Sequence, residues 1–199
     1  MNVEPLTLTG RVVRLEPLSE DHVPALALAG RDESIWQFML FGVMDSQDKL
    51  LDWVRYLLRQ QAKGTDLPFT VFHLADGRAV GMTRYLDIRP ADRALEIGGT
   101  WYAPAYQRTA VNTECKYLLL RHAFETLGYN RVQFKTDLRN ERSQRAIERL
   151  GAVREGVLRE HMLLPDGTLR SSVYYSILLS EWAGVKARLE GFLNVKRDA

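Results

Sequence analysis

Residues 104–127 read P-A-Y-Q-R-T-A-V-N-T-E-C-K-Y-L-L-L-R-H-A-F-E-T-L. The first six are turn-prone and follow a strand-like segment that ends at Tyr102. From about Val111 the period becomes helical, with Val111, Cys115, Leu118, Leu119 and His122 on one stripe and Gly128 as the stop. A strand–turn–helix junction aims several free backbone N–H groups, and the positive end of a helix dipole, at one point. Phosphate is the natural ligand for such a point. An ordinary loop before an amphipathic helix is the other reading of the same residues.

Upstream, Arg11 to Pro17 reads as a strand entered through Gly10, and Ser19 as the cap of a helix running to about Ala29. Ser34 to Met44 is unusually apolar for a connection. Ser46 and Asp48 open a second helix with Leu50, Leu51, Val54, Leu57, Leu58 and Gln61 near one face, ended by Lys63-Gly64. Pro68 to Ala75 and Ala79 to Ile88 form strands joined at Asp76-Gly77, and Ala94 to Tyr102 is a third. Gly98-Gly99 within it signals a bulge or a close approach by something else.

Downstream, Arg131 to Asp137 alternates as a strand, and Asn140 to Leu150 is a short helix closed by Gly151. Val153 to Leu164 and Thr168 to Leu179 form a hairpin about Pro165-Asp166-Gly167. Ser180 caps a last helix, over 181–193, whose Trp182, Val185, Leu189 and Phe192 share a face. The order β-α-α-β-β-β-α-β-α-β-β plus a terminal helix predicts an α+β fold in three layers. Its mixed, mostly antiparallel sheet carries helices on both faces, in one domain over 1–199 with its core at about 10–180.

At 199 residues the chain can bury a sizeable core, and its hydrophobic content of 46% suits a globular protein. It shows no membrane-spanning run and no signal peptide, so a cytoplasmic location is expected. The lone Cys115 cannot form an internal disulfide and reads as a buried structural thiol. The four histidines lack metal-ligand spacing, and no metal is expected. A net charge of +2 gives no warrant for nucleic-acid binding. The charge is uneven: residues 1–100 carry 11 Lys/Arg against 14 Asp/Glu, and 101–199 carry 16 against 11. The half with the phosphate-type junction is the basic one.

In N140-E-R-S-Q-R-A-I-E-R-L-G151, helical spacing puts Ser143, Ala146, Ile147 and Leu150 on one face. An inward hydroxyl there needs a partner, either a backbone carbonyl or a ligand. Asn140 is placed to cap the helix. Arg142, Arg145 and Arg149 read as an outer, mostly solvated side. Glu96 leaves its strand opposite Leu95 and Ile97, either as an exposed carboxylate or as a base.

Q107-R-T-A-V-N112 and N-x-x-S-x-x-A-I-x-x-x-G, in this order of elements, resemble the GCN5-related N-acetyltransferases, specifically the RimJ/RimL-like branch. The resemblance covers roughly residues 10–180. It implies that Arg108, Thr109, Ala110, Val111, Asn112 and Thr113 wrap the pyrophosphate of acetyl-CoA, with Tyr102 and Asn140 along its pantetheine arm and Trp101 also at the cofactor. It further implies that Ser143 protonates the departing sulfur and that a backbone N–H near Gly98 to Trp101 polarises the thioester. Glu96 becomes the candidate base, acting through a water.

The resemblance also points to Trp36, Phe38 and Phe41 as walls for the acceptor; core packing and a homodimer contact are the other readings of that segment. The implied reaction is direct acetyl transfer to a primary amine, either a protein N-terminus or a small molecule. Ala110 and Asn112 stand where the loop usually has glycines, which adds Cβ atoms and withdraws positive-φ conformations. That departure motivates an alternative, a non-catalytic acyl-CoA-binding or interaction module.

Overall fold

The computed structural model describes residues 3–164 and 166–194. One eight-stranded sheet runs through it: β1 (Leu8–Thr9), β2 (Val13–Pro17), β3 (Leu67–His73), β4 (Ala79–Arg89), β5 (Ala94–Tyr102), β6 (Arg131–Asp137), β7 (Val153–Leu163) and β8 (Leu169–Leu178). The strand order is β1-β2-β3-β4-β5-β6-β8-β7. Every neighbouring pair is antiparallel except β5 and β6. That parallel pair requires a crossover, which the helix α3 (Ala110–Arg121) supplies.

The remaining helices are α1 (Val23–Ala29), α2 (Gln47–Ala62), α4 (Glu141–Leu150) and α5 (Trp182–Asn194). Alternation along the strands separates two apolar clusters. Phe69 and Val71 belong to the larger one, with Cys115 and Leu119 of α3 and Leu189 of α5. Phe72, on the opposite face, packs with the smaller one, with Leu26 of α1 and Leu50, Val54 and Leu57 of α2. Helices therefore cover both faces, as the element order predicts.

Local chemistry accounts for most boundaries. Ser46 accepts from Lys49 N at 3.2 Å and starts α2. Gly151, at φ 104°, ends α4 in the left-handed region. Several boundaries differ from the sequence reading, and at three of them the local contacts show why. The strand expected from Arg11 begins at Val13, because the amides of Arg11, Val12 and Val13 all donate to the Glu114 carboxylate, at 2.9, 2.6 and 2.7 Å. This acid is buried and fastens the entry of β2 to α3.

The helix expected from Ser19 is split into a single tight turn, Glu20–His22, and α1. Pro24 in the first turn of α1 has no N–H to carry a longer helix. The last helix starts at Trp182 after a turn at Leu179–Glu181, and Glu181, not Ser180, bonds the entering backbone, at Leu178 N. The short β1 has no counterpart in the sequence reading, because two residues carry no periodicity. Pro165 of the expected hairpin tip lies outside the described residues.

Candidate active site

β5 and β6 pair only at Ala94–Arg131, Leu95–Val132 and Glu96–Gln133. Beyond those rungs the two strands continue without pairing to each other, and a cavity of about 770 Å³ opens between them. That volume lies within the range of small-molecule sites. Its walls are Ile97 to Tyr102 of β5, Phe134 to Thr136 of β6, the starts of α3 and α4, and the apolar segment after α1.

β5 is bent at this place. Met82 faces Trp101 while Arg84 faces Gly98, so β5 carries one extra residue against β4. Gly99 takes φ +57°, which glycine adopts without strain. The Gly98-Gly99 bulge expected from the sequence is therefore present at the edge of the cavity.

The phosphate-type junction closes one end. Thr109 caps α3, accepting from Val111 N at 3.2 Å and donating to Tyr106 O at 2.7 Å. The other first-turn amides have no partner within the helix. Gln107 donates to Tyr102 O at 2.9 Å and accepts from Arg142 at 2.7 Å, which joins the end of β5 to the start of α4. At α4, Asn140 Oδ1 accepts from Ser143 N at 3.0 Å. Asn140 is thus the N-cap, and Ser143, Ala146, Ile147 and Leu150 all line the cavity.

Of the residues singled out from sequence, Glu96, Trp101, Tyr102, Arg108, Thr109, Asn112, Thr113, Asn140, Ser143, Phe38 and Phe41 meet around this one cavity. Val111, Ala110 and Trp36 are not in its wall. Val111 is buried in the larger core. Ala110 opens the helix, where only its backbone is placed to serve an anion. Trp36 is a core residue: its indole donates to Gly30 O at 2.9 Å and its ring lies 4.9 Å from that of Trp101.

The backbone here does not require the glycines. Neither Ala110 nor Asn112 has positive φ; the left-handed residue of this loop is Arg108, at φ 60°. Both glycine-replacing residues lie inside α3, where Cβ atoms cost nothing in backbone conformation.

Glu96 is not an exposed strand carboxylate. Only 3% of it is accessible, and its Oε2 accepts from Gln133 at 3.0 Å with Lys135 Nζ at 3.6 Å. Tyr102 is buried, and desolvation raises its phenol well above the usual range. Cys115 is fully buried and pushed up to about 12 by the same cause, so it stays a thiol.

Cations that the sequence pattern does not mark complete the site. Arg149, expected on a solvated face, donates to Thr113 at 3.1 Å and stacks its guanidinium 3.8 Å from the Phe192 ring centroid. Arg142 bridges to Gln107, whereas Arg145 pairs outward with Glu141. Arg170 is buried, donating to Ser172 at 2.9 Å and to Phe38 O at 3.1 Å. Arg84 pairs with Asp66 at 3.4 Å under Trp53, which stacks between Phe41 and Tyr56. Lys116 lies beneath the β5 bulge. Helical spacing of Asn112, Thr113 and Lys116 is the one sequence signal for the last of these.

Among the described residues, no helix is long and apolar enough to cross a membrane, and no cluster of three or more His, Cys, Asp or Glu is suited to a metal.

Known proteins share this arrangement. A crystal structure titled as a "putative acetyltransferase", from T. thermophilus, is 43% identical, with TM-score 0.88 over 97% of this chain and 100% of that one. A GCN5-related N-acetyltransferase from Brucella melitensis is 29% identical, with TM-score 0.92 over 98% of this chain and 88% of that one. The curated "Putative ribosomal N-acetyltransferase YdaF" of Bacillus subtilis is 34% identical over 113 residues, 57% of this chain and 61% of that protein. The chain thus matches somewhat less than two thirds of that relative's length. The sequence profile of the acetyltransferase (GNAT) domain matches residues 13–153, which run from β2 through every wall of the cavity except the final hairpin. With the split β5/β6 pair and two capped helices meeting at its mouth, the chain belongs to the GNAT acetyltransferase family.

Proposed function

We propose that this protein transfers the acetyl group of acetyl-CoA directly to a primary amine within a ternary complex, as a single catalytic domain in the cytoplasm. The observation that carries the reading is the cavity at the β5/β6 split, with the starts of α3 and α4 at one end and a buried carboxylate within it. The acceptor favoured is the N-terminal amine of a protein; the Bacillus subtilis relative is named a putative ribosomal N-acetyltransferase.

The residues fit the co-substrate. Arg108, Thr109 and the first-turn amides of α3 would hold the pyrophosphate, with the Gln107–Arg142 bridge fixing the loop. Asn140 would meet the pantetheine arm, and the backbone of the β5 bulge would polarise the thioester oxygen. The motive for a non-catalytic module weakens, because Ala110 and Asn112 occupy helical conformations that need no glycine.

An amine attacks only when unprotonated. With an α-amino pKa of about 8, roughly a tenth of a protein N-terminus is neutral at pH 7, against about one in a few thousand for lysine. Glu96 would take the remaining proton, through a water in the cavity. As the amine nitrogen bonds to the acetyl carbon, the C–S bond breaks and its electron pair leaves on sulfur, with Ser143 as a hydrogen-bond donor to it. Phe38 and Phe41 would form part of the acceptor wall. A screen of free-N-terminus peptides and small amines with acetyl-CoA tests this reading. It predicts CoA release matched by acetylated product for at least one peptide, and no release with any amine would refute it.

A further inference from the structure

Among the described residues, Lys116 is a buried cation without a carboxylate of its own. It is 5% accessible, on the cavity side of α3. Its ammonium donates to Thr100 Oγ1 at 2.7 Å and lies 3.4 Å from Thr83 Oγ1, the two hydroxyls being 2.8 Å apart. A lysine has three N–H donors, and the threonines account for two.

The ionisable groups on the surrounding elements are all engaged elsewhere or neutral. On α3, Glu114 is taken by the three amides of Arg11 to Val13, and Cys115 stays a thiol. On β5, Glu96 is held by Gln133 and Lys135, and Tyr102 keeps its proton. On β4, Arg84 faces Asp66. An ammonium buried this way disfavours its own charge, and desolvation brings Lys116 down to about 8. It would become a favourable contact once an anion enters the cavity.

The reaction generates an anion. An alcohol is a weaker acid than a thiol by several pKa units, so Ser143 alone cannot leave the departing sulfur protonated without an uphill step. We propose that Lys116, held by Thr83 and Thr100, is the subsite that receives the sulfur of CoA as a thiolate. This rests on the acetyl-CoA reading above. The acetyl carbon gains its bond to the amine nitrogen, the C–S electron pair stays on sulfur beside the ammonium, and the amine proton leaves through Glu96. Lys116 keeps its proton throughout.

The test uses the full chain as wild type, Lys116→Met and Lys116→Arg. Calorimetry measures binding of CoA and of desulfo-CoA, which keeps the phosphates and lacks the sulfur. The ultraviolet absorbance of the thiolate follows ionisation of bound CoA. In the wild type the bound thiol is expected to ionise at least about one pH unit below free CoA. Lys116→Met should return it to the free value or above, Lys116→Arg should keep most of the depression, and desulfo-CoA affinity should change less than about twofold in either.

An unchanged thiol titration in Lys116→Met overturns the proposal. So does a parallel loss of CoA and desulfo-CoA affinity, which would put Lys116 on a phosphate. Lys116→Gln repeats the comparison should Lys116→Met not fold. If the wild type binds neither ligand, the acetyl-CoA reading fails and this proposal with it; binding with an unshifted thiol sinks this proposal alone.

Discussion

At one end of the cavity, Thr109 and Asn140 cap α3 and α4, and a single bridge from Arg142 to Gln107 spans 35 positions of sequence. At the other end, Phe38 is fixed by Arg170, which lies 132 positions away, while Arg84 reaches Asp66 beneath the Phe41–Trp53–Tyr56 stack. The first end is polar and made from helix starts. The second is aromatic and made from contacts that only the folded chain brings together. The groups proposed for the co-substrate are thus encoded locally, whereas the walls proposed for the acceptor depend on the whole sheet.

The sharpest way to break this comparison is to treat the aromatic end as two layers. Trp36→Ala removes a core ring packed on Trp101 and should cost about 3–5 kcal/mol of stability in denaturant unfolding. Phe41→Ala, in the cavity wall, should chiefly raise the acceptor KM and leave CoA affinity alone. If Trp36→Ala instead left stability intact and raised the acceptor KM, the division between core and wall would be misplaced.

Between the two ends lies Glu96. Glu96→Gln should lower kcat by about 10²–10⁴-fold with little change in the Kd for CoA, since it removes a proton acceptor and no phosphate contact. Steady-state rates with calorimetry separate those outcomes; an unaltered kcat removes Glu96 from proton transfer.

Lys116 marks where the proposed thiolate subsite costs stability. Its folded pKa of about 8 lies below the ordinary lysine value of 10.5, so the unfolded chain binds more protons between those values. Stability from this residue therefore rises with pH across that window, and the full penalty is present below it. Lys116→Met should stabilise the ligand-free protein by about 1–3 kcal/mol at pH 7, and the gain should shrink towards pH 10. Thermal melts over that pH range give the comparison. Destabilisation at pH 7 would mean that the threonine contacts outweigh the buried charge.

The smallest effect concerns the polar end. Gln107→Ala removes the link from Tyr102 O to Arg142 and should weaken CoA binding roughly tenfold, with the acceptor KM unchanged. Equal loss on both ligands would show that the two ends are mechanically one.

The same contrast explains what can be read in the amino-acid order. Asn140 as a cap, the helix face that Ser143 shares, and the Gly98-Gly99 bulge are legible because each is a property of a few adjacent residues. The order of the main elements along the chain and the two-sided covering of the sheet follow from the succession of periods. Glu114 reads in sequence as one more polar residue on a helix, since its partners Arg11 to Val13 lie about a hundred positions earlier. Trp36 reads as wall, core or dimer contact alike for the same reason: nothing local says that its ring meets Trp101. Arg149 reads as solvated because helical phase separates a buried face from an exposed one but does not show that α3 and α5 close over its rim.

The most direct test of the central claim is the reaction itself. Purified protein is mixed with acetyl-CoA and a panel of free-N-terminus peptides, and CoA release is compared with the mass of the peptide products. The cavity at the β5/β6 split predicts one acetyl group on the α-amine per CoA released, for at least one peptide. Acetyl-CoA that neither binds nor turns over with any peptide or small amine would contradict it.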